Sequence, residues 1–540
     1  MSPVLPAGFI DVLYYLGALW IVTKLFKLGT ARWREGTQTT PLRGPPNQGY
    51  FLGLSKYVSN PEDASDIYEN WAAQYGAAYK VPLGLGSSKV VICDPKANAH
   101  FYSKETFIYV QSKLTKVLIK NILGRGLIWA DGESHRRQRK ALSPAFSNVA
   151  IRRLTSVFYD SAYKMKDNWD TILDSNSGDA VIDVQKWMNN ISLDSIGIAG
   201  FGHDFGALHG KHPPIVEVFE NFGSSDQSFI SAFVVLMRPV LPILQYIPTT
   251  DNQLFSRLRV KMGEIADELL DRTRKEREGK LTAKERAEEK SIIGELIKAE
   301  STDTELQMTR EEVMAQMNTL ILAGYETTSI SLTWTLIELA RNPEKQDRLR
   351  QELDQFSGTD PTWEQLGSGL PYLDAVAHEI LRIHPPVSET QRIAREDDVI
   401  PLTTPIMTST GEMVTSITIA KGTNISSPIR AINRSETLWG PTAKEFEPKR
   451  WIESSDGTRY KEISGHRNLL TFSDGPRLCL GRHFALSEFK AVLSVLIRNY
   501  VFELVDGPTT KIVSHKGILP RPKIAGQVGA KVPMRVRRVE

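Results

Sequence analysis

A ten-residue loop around one cysteine constrains this chain more than any other stretch. The loop covers residues 472–481, with the sequence Phe-Ser-Asp-Gly-Pro-Arg-Leu-Cys-Leu-Gly, and an amphipathic helical pattern begins directly after it. Gly475 and Gly481 permit tight turns that a side chain would obstruct, so that backbone N–H groups converge on the Cys479 sulfur. The positive end of the following helix points at the same place. These features favour a thiolate over a thiol, and a thiolate of this kind suits the axial position of a haem iron.

The spacing within the loop is more specific than a lone cysteine. A single cysteine in a long chain is usually a small buried hydrophobe. Here five residue types are fixed as Phe-x-x-Gly-x-Arg-x-Cys-x-Gly, and a chance match in a chain this long is on the order of a few in ten thousand. The pattern resembles the haem-binding loop of the cytochrome P450 family. That resemblance implies haem b as the cofactor, Cys479 as the iron ligand, and further haem contacts from Phe472, Gly475, Arg477 and Gly481.

Composition excludes several other classes of protein. The 540 residues carry 66 basic and 63 acidic side chains, a net charge of +3, which makes no case for nucleic-acid binding. Cys93 and Cys479 are the two cysteines, so there is no disulfide framework and the bulk of the chain is expected in a reducing compartment. Cys93 follows an apolar run and is interpreted as a strand-core residue.

The amino end has the length and charge pattern of a membrane anchor. Residues 4–23 contain one charged side chain, Asp11, and basic residues follow at once, which puts the remainder in the cytosol by the positive-inside rule. We expect an uncleaved single-pass anchor over residues 1–28, with a helix lying on the membrane as the alternative. A linker with a stiff proline-rich hinge follows over residues 29–46, and the catalytic domain over 47–540. The resemblance to microsomal members implies the endoplasmic reticulum membrane.

A second motif lies inside a long apolar helix predicted over residues 310–341. Its sequence at 323–328 is Ala-Gly-Tyr-Glu-Thr-Thr, and β-branched threonines beside a glycine are poor helix formers. Ala323 and Gly324 lack bulk, so a flat macrocycle can approach the helix closely. In the family, Glu326 and Thr327 would deliver protons during oxygen activation. Without the cysteine loop, the stretch would be interpreted as a packed core helix.

Three further sets of residues match the family in order and spacing. His135 and Arg139 lie four apart on one helix face, where the family has Trp-x-x-x-Arg holding a haem propionate, and this chain has His for Trp. Arg392 matches an arginine that often holds the second propionate. Glu379, Arg382 and Arg450 would form a buried triad that braces the cysteine loop, since a buried charged network must be fully paired.

The resemblance implies a mainly helical cytochrome P450 fold with a smaller β region, as a single large catalytic domain plus the anchor. Helices are predicted from residue 63 to about 383, with two strands near 78–81 and 89–93. The implied reaction inserts one oxygen atom from O₂ into an apolar molecule, with a terpenoid or other fungal secondary metabolite favoured. Electrons would come from NADPH through NADPH–cytochrome P450 reductase, with cytochrome b5 as a further candidate partner.

Two other functions remain open from the sequence. A haem-thiolate isomerase or dehydratase needs no O₂ activation, and members of that kind often lack the acid–threonine pair. A non-enzymatic haem sensor or membrane haem carrier would leave the pair without a purpose.

Overall fold

The computed structural model describes residues 38–58, 61–213, 216, 308–453, 460–515 and 517–539, with short stretches between residues 256 and 292. The predicted anchor over residues 4–23 lies outside the described residues. Among the helices that are described, none is long and apolar enough to cross a membrane. The described residues form two compact units: one comprises those up to Val110 together with Glu389–Pro428, and the other comprises those within Gln111–Ser388 and within residues 429–540.

The described structure is mainly helical, as predicted. In chain order the helices are α1 (Ser55–Val58), α2 (Pro61–Tyr75), α3 (Pro95–Ser103), α4 (Lys113–Ile122), α5 (Gly132–Leu142), α6 (Asn148–Asp174), α7 (Val184–Phe201), α8 (Arg310–Arg341), α9 (Pro343–Leu353), α10 (Pro371–Ile383), α11 (Ile429–Asn433), α12 (Glu436–Trp439) and α13 (Arg482–Asn499).

The strands are short and confirm the smaller β region. In chain order they are β1 (Ala78–Pro82), β2 (Ser88–Ile92), β3 (Tyr109–Val110), β4 (Asp179–Asp183), β5 (Thr390–Ala394), β6 (Asp398–Met407), β7 (Met413–Ile419), β8 (Asn424–Ser427), β9 (Tyr500–Leu504), β10 (Ile512–His515), β11 (Arg521–Ile524) and β12 (Pro533–Arg538).

The first unit is built on a five-stranded sheet in the order β1-β2-β8-β5-β3. The β2–β8 pair is parallel and the other pairs are antiparallel. Cys93 directly follows β2 and is half-buried, with its N–H donating to the Ala77 carbonyl at 2.7 Å. The two strands predicted near residues 78–81 and 89–93 are confirmed as β1 and β2, but Cys93 follows β2 and is not a residue of the strand core.

The proline-rich part of the hinge, residues 41–46, is non-helical. It is also tied to the first unit: the Thr40 N–H donates to the Thr418 carbonyl at 2.9 Å, and the Ser409 N–H donates to the Pro41 carbonyl at 2.7 Å. The Lys80 N–H donates to the Arg43 carbonyl at 2.9 Å. These backbone bonds join the end of the hinge to β1, to β7 and to the turn between β6 and β7.

The second unit has its core among long helices. Helices α6, α7, α8, α10 and α13 contribute side chains to one continuous buried cluster, which also takes in β9 and β12. Helix α8 begins with a capping box, in which Thr309 accepts from the Glu312 N–H and Glu312 accepts from the Thr309 N–H. Helix α10 ends before His384, Pro385 and Pro386, because a proline disfavours helical backbone in the preceding residue.

Candidate active site

The cysteine loop is a tight turn closed by its own backbone. The Cys479 N–H donates to the Phe472 carbonyl at 2.7 Å, and a 3₁₀ turn over Gly475–Arg477 forms the base of the loop. Helix α13 starts at Arg482 with Gly481 as its N-cap, so the positive helix end does lie two residues beyond the cysteine. The loop thus presents a half-buried Cys479 at a helix N-terminus.

Three donors or positive groups surround the Cys479 sulfur. Burial raises the pKa of the Cys479 thiol above its ordinary value, while the Gly481 N–H and the guanidinium groups of Arg139 and Arg482 oppose that rise. The predicted features that stabilise the thiolate are therefore present, but in the absence of a ligand the effect of burial on the pKa is larger than theirs. A ligand that carries its own positive charge would reverse this balance.

The two glycines of the loop have different roles. Gly475 has a φ of +59°, which side-chain-bearing residues rarely adopt. Gly481 has a φ of −84°, and a Cβ atom there would meet a Phe146 ring carbon at 3.7 Å, an ordinary contact distance. The expectation that both turns exclude a side chain therefore holds for Gly475 and is wrong for Gly481, whose contribution is its N–H group.

The predicted propionate residues of α5 lie where the sequence spacing indicates. His135 is 3% exposed and stands one turn before Arg139 on the same helix. Burial lowers the pKa of Arg139, and the nearby Cys479 sulfur opposes this shift. Arg477 donates to the Ala130 carbonyl at 2.5 Å and to Asp131 Oδ1 at 2.7 Å, which ties the loop to the start of α5.

The arginines around the sulfur leave positive charge for an anionic ligand. In the part of the chain that the structure describes, the buried Arg482 Nε atom has no hydrogen-bond partner. The charged groups that act on Arg139 are Cys479 and Arg482. A sulfur donor on which two guanidinium groups act fits a haem, because the thiolate would be the ligand of the iron and the propionates would need cationic partners.

Helix α8 carries an accessible strip near its middle, where most of its side chains are buried. Ala323 is exposed and Thr327 is half-buried, one turn apart, and the Thr327 hydroxyl donates to the Ala323 carbonyl at 2.6 Å. Leu480, next to Cys479, packs against the cluster that contains Ile321 and Tyr325 of the same helix. A strip bearing one methyl group and one hydroxyl fits the flat face of a macrocycle.

Gly324 does not share this strip. A Cβ atom at Gly324 would lie 2.8 Å from the Ile196 Cγ1 atom of α7. The expectation that Gly324 makes room for a macrocycle is therefore wrong. Its lack of a side chain allows α7 and α8 to pack closely.

Glu326 lies away from the strip and is fully buried. Its Oε1 atom accepts from Arg521 at 2.6 Å and its Oε2 atom accepts from the Leu519 N–H at 3.1 Å. Burial raises the pKa of Glu326, and Arg521 opposes that rise. The structure therefore brings Thr327 to the accessible strip and places the Glu326 carboxyl against the β10–β11 hairpin.

The predicted triad forms a buried network. Arg382 donates to both Glu379 oxygens at 2.8 Å, and the Arg450 Nε atom lies 3.5 Å from Glu379 Oε1. Trp451 Nε1 donates to Glu379 Oε2 at 2.9 Å. Burial alone would raise the pKa of Glu379, but Arg382 and Arg450 lower it below its ordinary value.

The triad reaches the cysteine loop through one threonine. The Thr471 hydroxyl donates to the Leu381 carbonyl of α10 at 2.7 Å, and Asn433 donates to the same hydroxyl at 2.8 Å. Arg382 in turn donates to the Asn433 carbonyl at 2.8 Å. Thr471 immediately precedes Phe472, so the network fixes the first residues of the loop.

Arg392 is described within the first unit. It lies on β5, and its Nε atom is 2.8 Å from Glu105 Oε1, whose side chain is fully buried. Its role at a propionate stays a prediction.

Two residues near the site were missed by the sequence reasoning. Arg482 adds positive charge beside Cys479, and a cation in the first turn of a helix is itself a signal, because it opposes the helix dipole unless an anion lies nearby. Arg521 pairs with Glu326 across 195 residues of chain. No local pattern predicts a contact of that range.

Comparison with known proteins agrees with the site. The sequence model of the family described as Cytochrome P450 matches residues 43–528. The cytochrome P450 monooxygenases claP and claQ of Ampulloclitocybe clavipes are each 61% identical to this chain over 100% of both sequences. Cytochrome P450 monooxygenase 205 of Postia placenta is 34% identical over 92% of this chain and 93% of its own length.

Proposed function

The chain belongs to the cytochrome P450 family and is a monooxygenase of that family, and we propose that it inserts one oxygen atom from O₂ into an apolar small molecule at a haem held by Cys479. One observation carries the proposal. The Cys479 sulfur lies at the N-terminus of α13 and accepts from the Gly481 N–H, and the positive charges of Arg139 and Arg482 favour its thiolate form.

Each residue near the sulfur has a definite task in this proposal. A thiol that coordinates a metal ion is deprotonated, and the Gly481 N–H then stabilises the Cys479 thiolate. Arg139, His135 and Arg477 would hold the propionates, with Arg482 as an additional cation. A haem bound by these residues supplies the oxygen activation, assisted by electron density from the thiolate.

Thr327 is proposed to handle protons at the accessible strip of α8. Its hydroxyl bonds back to the Ala323 carbonyl at 2.6 Å, and such a bond loosens the helix locally. That bond uses the hydroxyl hydrogen, so the oxygen keeps both lone pairs with which to accept a hydrogen bond from a water molecule or a substrate group. Ala323 leaves space beside it for a flat ligand.

Electrons are proposed to come from NADPH through NADPH–cytochrome P450 reductase, with cytochrome b5 as a second donor. Arg136 and Lys140 on α5 are exposed, which supports docking of an acidic partner. Arg137 pairs with Glu312 of α8, so it is less available for such docking. Arg136 is bonded to Glu133 at 3.0 Å, an exposed pair that a partner can displace at little cost.

A terpenoid or related secondary metabolite is the proposed substrate class. The proposal rests on the sequence Asp-Gly-Glu-x-His-x-x-x-Arg-Lys at residues 131–140, followed by Pro-Ala-Phe-Ser at residues 144–147, which resembles fungal microsomal members of the family. It rests also on relatives that are fungal monooxygenases. Titrating candidate lipophilic molecules against the purified haem protein, while following the spin-state shift of the haem spectrum, tests the class directly.

The proposed location is the endoplasmic reticulum membrane, with residues 4–23 as a single-pass anchor and the catalytic domain in the cytosol. The apolar run followed by basic residues supports it. Deleting residues 1–28 should release the chain from microsomes washed at alkaline pH. Retention of the shortened chain would favour a membrane-surface attachment by other residues.

The experiment that tests the function measures reductase-dependent oxygen consumption. Purified haem protein, NADPH and reductase should consume O₂ and yield a product that carries one ¹⁸O atom from ¹⁸O₂. A haem-thiolate isomerase would form product without O₂ or NADPH. A haem sensor would form none with any apolar substrate.

Thr327→Ala tests the proton role. The variant should keep its haem and consume NADPH, but the ratio of hydrogen peroxide formed to product formed should rise about ten- to a hundredfold. The reason is that proton transfer by a positioned group accelerates a reaction about 10²–10⁴-fold. Thr333→Ala is the matched control, since Thr333 makes the same type of bond to Ser329 at 2.8 Å but is buried. Fully coupled turnover in Thr327→Ala would contradict the assignment.

A further inference from the structure

The cysteine loop is joined to a series of aromatic rings in the second unit. The Phe472 carbonyl accepts from the Cys479 N–H, and the centre of the Phe472 ring lies 5.8 Å from that of the His466 ring. The His466 ring is 5.9 Å from the His378 ring of α10, and the His378 ring is 5.4 Å from the Trp451 ring. Each separation is within the range of an aromatic contact. We call Phe472, His466, His378 and Trp451 the ring path.

Trp451 differs from the other members of the ring path in how easily it is oxidised. An indole loses an electron more readily than an imidazole or a phenyl ring. Burial lowers the pKa of His466 to about 4, so its ring is neutral at pH 7 and adds no positive charge that would repel a second one. The two imidazoles and the phenyl ring therefore connect the ends of the path, and Trp451 is the member able to hold a positive charge.

A buried carboxylate lies against the Trp451 indole. The Trp451 N–H donates to Glu379 Oε2 at 2.9 Å, and Glu379 is 0% exposed. Burial would raise the pKa of Glu379, but Arg382 and Arg450 lower it below its ordinary value, so the carboxyl is ionised at pH 7. Both arginines weaken its effect on the indole, yet the atom that the N–H touches is a negatively charged oxygen. Such an oxygen stabilises a positive charge on the ring, because charges interact strongly in a buried site.

Trp439 lies beside Trp451 and has opposite surroundings. The two rings are 5.8 Å apart, and the Arg382 guanidinium carbon lies 5.1 Å from the centre of the Trp439 ring. A cation over a ring is attracted by the neutral indole and repelled by the oxidised one. Among the described residues, the buried Trp439 Nε1 atom has no hydrogen-bond partner. Trp439 is therefore harder to oxidise than Trp451, and it provides a matched comparison in the same cluster.

We propose that Trp451 is a one-electron donor, oxidised through the ring path when hydrogen peroxide reacts at a haem held by Cys479. Reduction of hydrogen peroxide to two molecules of water takes up two electrons and two protons. The haem gives one electron, Trp451 gives the other, and the protons come from solvent. The oxidised indole keeps its own proton, hydrogen-bonded to Glu379. Because Trp451 is half-buried, a small reductant such as ascorbate can return the electron.

The donor would protect the cysteine loop. A cysteine thiolate close to an oxidant is converted to sulfenic and higher acids, and an electron supplied from Trp451 removes the oxidising equivalent first. The inference rests on the proposed function, since it takes a haem to be bound at Cys479.

Electron paramagnetic resonance of the haem-loaded chain tests the donor. The chain is frozen after mixing with hydrogen peroxide, without substrate, NADPH or reductase. The unmodified protein should show an organic radical whose signal narrows when its tryptophan rings carry deuterium. Trp451→Phe should lose this signal, and Trp439→Phe should keep it. The same tryptophan signal in Trp451→Phe would overturn the assignment.

A spin trap locates the radical in the unmodified chain, so the test does not depend on the folding of a variant. The nitrogen of 2-methyl-2-nitrosopropane bonds to a ring carbon of the oxidised indole while the indole nitrogen releases its proton. Mass spectrometry of peptides should find the adduct at Trp451. An adduct confined to Trp439, or to Tyr460, whose ring stacks on Trp439 at 4.7 Å, would overturn the proposal.

The lifetime of the haem gives a third measurement. Repeated additions of hydrogen peroxide should bleach the Soret band of Trp451→Phe faster than that of the unmodified protein or of Trp439→Phe. Ascorbate should slow the bleaching of the unmodified protein more than that of Trp451→Phe, because it restores the donor. Equal bleaching with and without the indole would show that Trp451 supplies no electron.

Failure of the monooxygenase function has a different signature. It would appear in the unmodified protein as missing NADPH-dependent oxygen consumption, whereas the radical needs only a bound haem and hydrogen peroxide. A protein that consumes hydrogen peroxide at its haem without forming any tryptophan radical would overturn the donor role and leave the monooxygenase function unaffected.

Discussion

Glu379 and Glu488 are both fully buried in the second unit, yet their surroundings are opposite. Glu379 meets Arg382, Arg450 and the Trp451 N–H, and its pKa is lowered. Glu488, on α13, has the hydroxyls of Thr328 and Ser195 beside it, and no cation acts on it among the described residues. Burial raises the pKa of Glu488 to about 8, and those hydroxyls oppose the rise.

The difference shows what each carboxyl can do. A buried anion with matched cations is a rigid brace, because losing any partner leaves an uncompensated charge. A buried carboxyl without cations is more stable in its neutral form and stores a proton. The chain uses the first arrangement behind the cysteine loop, and it has the second where α13 meets α7 and α8.

The largest effect is expected from breaking the buried network of Glu379, Arg382 and Arg450, which we call the brace. Glu379→Gln should destabilise the protein by about 3–5 kcal/mol, because Arg382 stays buried without its anion, and the haem should be lost more readily. Denaturant titration and haem retention on a desalting column measure the two effects. Glu503→Gln is the control, since Glu503 forms a half-exposed pair with Arg537 and should change stability by less than about 1 kcal/mol. Equal effects of the two substitutions would contradict the brace.

The second prediction concerns pH, and here the substitution should stabilise the protein, whereas Glu379→Gln destabilises it. Between the ordinary pKa of glutamate, 4.5, and the value of about 8 for Glu488, the unfolded chain is ionised while the folded chain stays neutral at this site. The unmodified protein therefore loses stability as pH rises through this window, and no further loss from this site occurs above it.

Glu488→Gln removes that loss. Relative to the unmodified protein, the variant should gain about 2–4 kcal/mol at pH 8.5, and the gain should shrink toward pH 4.5. Thermal melting over a pH series measures it. A difference that does not change with pH would show that Glu488 is ionised in the folded protein, as Glu379 is.

The smallest effect concerns the loop that the brace holds. Gly475→Ala should cost about 1–2 kcal/mol, because the left-handed backbone at φ +59° is strained for alanine. Gly481→Ala should cost less than about 1 kcal/mol, since its φ is −84° and its N–H is kept. Denaturant titration of the two variants side by side distinguishes them, and equal costs would mean that the loop tolerates strain at residue 475.

Much of the fold follows from local sequence. The limits of α8 match the predicted residues 310–341, because a capping box begins the helix and Asn342-Pro343 interrupts it. The strands β1 and β2 match to within one residue because a glycine-rich turn separates two apolar runs. The order of strands in the five-stranded sheet was not predicted, since β8 pairs with β2 across more than 300 residues.

The site was predictable where one segment supplies the chemistry. The cysteine loop, the spacing of His135 and Arg139, and the helical pair Glu379–Arg382 are local patterns, and each has the geometry that its spacing indicates. The direction of the Glu326 side chain could not be predicted from a local sequence pattern. It depends on Arg521, which reaches α8 only after the chain has folded.

Cys479→Ser tests the central claim most directly. The carbon monoxide complex of the reduced, unmodified protein should show the red-shifted Soret band of a thiolate-ligated haem. Cys479→Ser should lose that band, while Cys93→Ser, which changes a residue next to β2 in the first unit, should keep it. An unchanged spectrum in Cys479→Ser would contradict the assignment of Cys479 as the haem ligand, and with it the proposed reaction.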